Sequence, residues 1–158
     1  MNESRRILFW RTYYTLTNPF KHFYWKVVKP KTHGVKCLIE NDGKFLLVRL
    51  AYAHKQWTMP GGAVDRKETY EQAARRELRE ETGLVVSKLE YFGEYKSTRQ
   101  HKRDTVQCFY GVAESVATKT DPLEIAEIGW FSRSDLPVDT RLTTFNTIIG
   151  LYDGWKNK

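Results

Sequence analysis

Three glutamates, Glu77, Glu80 and Glu81, fall within the run Arg-Glu-Leu-Arg-Glu-Glu that ends at residue 81. On a helix, residues three and four apart share a face, so these carboxylates would project together, with Glu77 a neighbour of both others. Each such like-charge pair is unfavourable by about 0.2 to 0.5 kcal/mol even at an exposed surface. Two accounts of the cluster are open: a solvated, charge-rich helix face, or a site for a hard divalent cation, whose preferred ligands are oxygens of this kind. Arg76 can pair with Glu80 one turn on, but a single guanidinium does not neutralise three carboxylates. A cation held there would lower the pKa of its bound water, as metal sites generally do.

The elements that must position these groups can be read from the surrounding pattern. Thr69 with Gln72 three residues on is a capping-box arrangement that starts a helix, and Gly83 is placed to end it. Tyr70, Ala74 and Leu78 recur at helical spacing and predict the stripe that packs on a sheet, leaving the opposite face for chemistry. From Val35 to Leu50, two apolar runs flank Asn41-Asp42-Gly43, whose Asp-Gly step suits a tight hairpin turn between antiparallel strands. A loop rich in turn residues leads to Pro60-Gly61-Gly62. Further strands are predicted over Leu89 to Tyr95, Thr105 to Val112 and Ile128 to Phe131. Leu142, Phe145, Ile148, Ile149 and Tyr152 give a second amphipathic helix between Thr140 and Tyr152. Strands, helix, strands and helix in this order imply an α+β fold, a mixed sheet sandwiched between helices.

The whole segment GAVDRKETYEQAARRELREETGL, Gly62 to Leu84, resembles the Nudix box, G-x5-E-x7-R-E-U-x-E-E-x-G-U with U a bulky aliphatic. Gly62, Glu68, Arg76, Glu77, Leu78, Glu80, Glu81, Gly83 and Leu84 fit it without a gap. At ordinary residue frequencies a chance match in this chain is below roughly one in a million. Gln56-Trp57-Thr58-Met59-Pro60 before the box, and Gly129-Trp130-Phe131 with Leu136-Pro137 after it, are also similar to the family, so residues 33 to 152 are covered in outline. Lys67 is a departure, since family members commonly have glycine immediately before the first box glutamate. That leaves the shape of the loop open.

The resemblance implies the α/β/α sandwich of the Nudix hydrolases and the cleavage of a diphosphate bond in a nucleotide-like small molecule. It further implies that Glu77, Glu80 and Glu81, with the backbone carbonyl of Gly61, hold one or more Mg2+ or Mn2+ ions. Glu68 and Arg76 would fix the ligand carboxylates, as the partners of metal ligands generally do. For the general base, the family uses either a box glutamate, such as Glu80, or an acid from a later loop. Glu124 and Glu127 are the loop candidates, and Glu124 ranks first because Glu127 is closer to the strand containing Trp130. A catalytically silent nucleotide sensor is the alternative; loss of a box carboxylate would favour it, and every one is present.

Outside the box the signals are weaker. Lys96, Arg99, His101, Lys102 and Arg103 could reach a phosphate tail or form a plain solvated loop. Trp57 could stack on a base or simply pack. His22, His33, His54 and His101 have no ligand-like spacing and are assigned no metal role.

At 158 residues, 41% hydrophobic and 28% charged, the chain suits one soluble domain that buries roughly two thirds of its unfolded surface. No apolar run reaches the length of a membrane span. The first residues lack a signal-peptide core, and two cysteines in apolar segments, Cys37 and Cys108, read best as buried thiols, so a cytoplasmic setting is expected. The net charge of +7 resides in residues 1–36, where eight Lys or Arg face Glu3 alone. Residues 1–31 are therefore expected to form a basic, aromatic arm ahead of a domain at 32–158. Phe9, Trp10, Tyr13, Tyr14, Phe20, Phe23, Tyr24 and Trp25 lie there. Such an arm could pack on the domain or on a second copy in a homodimer, or dock on an anionic membrane or a nucleic acid.

Overall fold

The computed structural model describes residues 31–51, 56–97, 103–118 and 124–158. The expected arm apart from Lys31, where β1 begins, and the expected basic loop apart from Lys96 and the backbone of Arg103, lie outside the described residues. Six strands and two helices follow in the order β1 (Lys31–Asn41), β2 (Lys44–Leu50), β3 (Trp57–Thr58), α1 (Tyr70–Thr82), β4 (Glu90–Ser97), β5 (Arg103–Val112), β6 (Ile125–Phe131) and α2 (Leu142–Lys156). The sheet is mixed, as expected: β1 pairs with β5 in parallel, while β1 with β2, β4 with β5 and β2 with β3 and β6 pair antiparallel.

The hairpin expectation holds at the turn, where Asp42 and Gly43 take φ of 49° and 73°. It fails beyond it. β1 and β2 pair only at Glu40 with Phe45 and Asn41 with Lys44, and then diverge. The space between them is filled by the segment after β3. Cys37 N–H donates to the Pro60 carbonyl and Val35 N–H to the Gly62 carbonyl, both at 2.9 Å, and Val64 N–H returns a bond to the His33 carbonyl at 3.0 Å. A glycine-rich loop thereby serves as a partner to β1 in the middle of the sheet, which satisfies backbone groups that the splayed hairpin leaves open. The structure also adds β3, and extends β6 to a full strand along β2.

Alternation along β1 sends Val35, Cys37 and Ile39 to one face and Leu38 to the other. The first face packs under α1 with Ala73, Ala74, Leu78, Leu84 and Phe109. The second packs under α2 with Leu47, Trp57, Met59, Phe92, Phe145, Ile148 and Tyr152. Cys37 and Cys108 belong to opposite faces and are free, so the reading of two buried thiols stands. Burial raises both thiols, Cys108 to about 12. Among the described residues, no helix is long and apolar enough to cross a membrane.

Candidate active site

α1 begins as its sequence demands. Gln72 N–H donates to the Thr69 hydroxyl at 3.2 Å, and Thr69 N–H donates to the Gln72 side chain at 2.8 Å, closing the capping box. Gly83 at φ 68° ends the helix. The carboxylates, however, are not all on the solvent face. Glu81 is only 7% exposed and Glu77 is largely buried, while the Glu80 side chain remains 55% exposed. Helical geometry explains the correction: Glu81 follows Leu78 by three residues and Ala74 by seven, which returns it to the edge of the packed stripe. Glu77 follows Ala74 by three. The two acids therefore line the seam between α1 and the splayed sheet.

Opposite them lies the glycine loop, and its composition is forced by contact. A Cβ on Gly61 would fall 2.3 Å from the Val35 carbonyl oxygen, in a backbone at φ 130° that disfavours L side chains. One on Gly62 would meet the Glu77 carboxylate at 2.5 Å. Gly61 N–H donates to Glu81 Oε2 at 2.8 Å. Lys67, where the family commonly has glycine, takes φ of 75°, so the loop keeps a left-handed backbone despite the side chain.

Arg76 organises the outer side of the site. It binds both oxygens of Glu68 at 2.9 Å, Glu77 Oε1 at 2.8 Å, Glu80 Oε2 at 3.2 Å and the Ala63 carbonyl at 2.9 Å. This guanidinium fork ties three box glutamates to the loop, a task for which lysine lacks the geometry. It draws Glu68 below the usual carboxylate range and is itself raised. Burial pushes Glu77 up, opposed by Arg76, and pushes Glu81 up to about 7, opposed by Lys36 and aided by Glu77 and Glu124.

Lys36 was missed as a site residue in the sequence, where it counted only toward the basic N-terminal charge. Its Nζ donates to the Met59 carbonyl at 2.6 Å and the Gly61 carbonyl at 3.0 Å, and its charge is felt at Glu81 and Glu77. A signal was available: a lysine inside the apolar run Val35–Lys36–Cys37–Leu38–Ile39 must find partners when its strand is central. Arg141, also unforeseen, lies close enough to Lys36 for their charges to repel. It precedes α2, and its Nε donates to Gln56 at 3.2 Å. β3 fixes it there, since Trp57 exchanges backbone bonds with Asp139 and Arg141.

The remaining candidates separate. Glu127 is engaged by Arg49 at 3.2 Å across the β2–β6 pair, whereas Glu124 is exposed and acts electrostatically on Glu81. Trp57 is buried edge-on against Phe131 with ring centroids 5.0 Å apart, so it packs and does not offer a face for stacking. His33 bonds Tyr70 at 2.5 Å. Among the described residues, no three His, Cys, Asp or Glu side chains converge as a ready metal cage. The reason is visible: Glu77 and Glu80 are turned to Arg76, and Glu81 to the Gly61 N–H. The donor set nonetheless fits a hard divalent cation, being entirely oxygen, with two desolvated carboxylates that repel each other beside a backbone carbonyl.

Comparison with known proteins decides the family. The NUDIX domain profile matches residues 30–148. The chain belongs to the Nudix family. It is 30% identical over 127 residues to the ADP-ribose pyrophosphatase of Methanocaldococcus jannaschii, covering 78% of this chain and 74% of that protein. It is 29% identical over 113 residues to the nucleoside triphosphatase NudI of Klebsiella pneumoniae, covering 63% and 80%. The crystal structure of the MutT protein from Methanosarcina mazei superposes with a TM-score of 0.68 at 25% identity, over 82% of this chain and 98% of that one. The Nudix sandwich expected from the box is therefore the fold. The chain is a Nudix hydrolase, of a family that acts on nucleoside diphosphate derivatives.

Proposed function

We propose that this Nudix hydrolase cleaves the diphosphate bond of a nucleoside diphosphate linked to another moiety, with water attacking phosphorus. Glu77, Glu80, Glu81 and the Gly61 carbonyl would hold Mg2+ or Mn2+. The observation that carries the reading is the pairing of Glu81 with Gly61: a desolvated carboxylate, raised to about 7 by burial, against a loop whose carbonyl faces the same seam. A cation at that point would relieve the repulsion between Glu77 and Glu81. When bound, the ion supplies charge to the phosphoryl oxygens and acidifies water.

The chain's own residues supply the rest. Arg76 orients Glu77 and Glu80 through its forked bonds and is a positioning residue. Glu124 is the preferred proton acceptor for the attacking water, because its charge acts on Glu81 and so places it near the carboxylates. Glu80, the most exposed box acid, is the second candidate. Arg141 and Lys36 add positive potential on the side of the seam that an anionic substrate would approach.

The test is incubation with a panel of nucleoside triphosphates, nucleotide sugars and dinucleotides in heavy-oxygen water with Mg2+, with products identified by mass. Label on a phosphate product is expected. Label on a sugar carbon alone refutes the phosphoryl mechanism, and binding without turnover across the panel favours a nucleotide sensor.

A further inference from the structure

We propose that Lys36 is a positioning residue acting as a tethered cation for the metal-free site: its ammonium holds the Gly61 carbonyl and counters Glu81, and a divalent ion binds there only by displacing it. The inference rests on the proposed role of Gly61 and Glu81 as ligands.

Three observations carry it. First, Lys36 shares a face of β1 with the fully buried Leu38 and its contacts are partly buried, and a charge at such a position is costly without partners. Its ammonium donates to two backbone carbonyls, Met59 at 2.6 Å and Gly61 at 3.0 Å, the second being the oxygen assigned to the metal. Second, Gly61 is gripped from both sides, its N–H by Glu81 and its carbonyl by Lys36. Third, Lys36 and Glu81 meet at the same residue, Gly61, so the ammonium and the carboxylate sit close enough for their opposite charges to attract. An ammonium that both occupies a ligand oxygen and neutralises a ligand carboxylate does what the metal would do there. Ion and ammonium cannot share the Gly61 oxygen without strong repulsion at this separation. A lysine that merely braces the loop would make the opposite demand: removing it would loosen the site and weaken metal binding.

The experiment measures Mn2+ binding to the full chain by the electron-spin signal of free Mn2+, for wild type, Lys36→Met and Lys36→Gln, alongside metal-free melts. Met removes the charge at similar length, and Gln keeps a donor for the carbonyl. Both variants should bind Mn2+ roughly tenfold or more tightly than wild type, as loss of a nearby like charge implies. Lys36→Met should melt lower than wild type without metal and gain more on adding it. Should neither variant fold, the Nζ resonance of Lys36 in isotope-labelled wild type must move when Mg2+ is added; an unmoved resonance overturns the proposal. Variants that bind Mn2+ equally or more weakly than wild type also overturn it and leave the metal assignment intact. Absence of Mn2+ binding in wild type removes both.

Discussion

Glu40 lies at the hairpin end of β1, and Glu81, on α1, lies beside the glycine loop that flanks the strand's other half; the two acids are satisfied in different ways. At the hairpin end, Glu40 Oε2 accepts from the Tyr110 hydroxyl at 3.0 Å and the Tyr152 hydroxyl at 3.3 Å, while Lys156 donates to Tyr152 at 3.0 Å. Neutral donors surround the acid, aromatic rings close over them, and Arg133 caps the group through Phe45, Tyr152 and Asp153. At the loop end, Glu81 has one backbone N–H, a lysine, and the like charges of Glu77 and Glu124. Glu40 is thus held by two neutral donors on one oxygen. Glu81, proposed as a metal ligand, is desolvated beside others of its kind, and a cation would relieve the resulting repulsion.

The comparison breaks most sharply on turnover. Glu81→Gln should lower it by roughly a hundredfold or more, as expected when a metal ligand is lost, with the fold intact because Gln still accepts from Gly61 N–H. Steady-state rates at limiting Mg2+ check this, and activity close to wild type would remove Glu81 from the site.

The same residue predicts a pH dependence of stability. Burial raises the Glu81 carboxyl from 4.5 to about 7, so its contribution to stability is present below 4.5 and is lost as pH rises through 7. In chelator, the wild-type protein should lose stability across that window, whereas Glu81→Gln should show a smaller loss, the part that comes from Glu77. By the size of the shift, the variant should be up to about 3 kcal/mol more stable than wild type above pH 7. Urea melts on both sides of the window measure it, and parallel profiles would show that Glu81 is already fully compensated.

At the other end, Tyr152→Phe should cost about 1 kcal/mol of stability, the worth of a hydrogen bond to a charged partner network, and leave turnover unchanged. A fall in turnover at full folding would show that the two ends are coupled.

What could be read in advance follows the range of the forces involved. Capping at Thr69 and Gln72, the end at Gly83, the Asp42-Gly43 turn and the second helix depend on neighbours in sequence, and the structure has them. Box spacing identified Glu77, Glu80, Glu81 and Arg76 together. The burial of Glu77 and Glu81 was not foreseen, because the stripe was drawn through Tyr70, Ala74 and Leu78 without following the helix one turn further. Lys36 and Arg141 were missed for a different reason. They join the site only because β1 and β2 separate beyond Glu40 and because β3 clamps the start of α2, which are pairings between residues distant in the chain. The parallel register of β1 with β5 is equally non-local, and no pattern within either strand specifies it.

The two ends also differ in how they hold positive φ, and this gives the smallest effect. The hairpin places Asp42 at 49° beside Gly43, and aspartate tolerates the left-handed region through local hydrogen bonding. The loop before α1 places Lys67 at 75°, where a side chain without that ability costs about 1 kcal/mol or more. Glycine would remove the strain but would add conformational freedom to the unfolded chain, worth about 0.5 to 1 kcal/mol in the other direction. Lys67→Gly should therefore raise stability by only about 0.5 kcal/mol, while Lys67→Ala, which keeps the Cβ, should gain nothing. Chemical melts of the two variants beside wild type separate backbone from side chain. If alanine stabilises as much as glycine, the relief comes from removing the lysine charge among Arg66, Arg75 and Arg76, which line the same open cleft of about 510 Å³. The left-handed backbone of the loop would then be free of strain, and the site end would resemble the hairpin end in this respect.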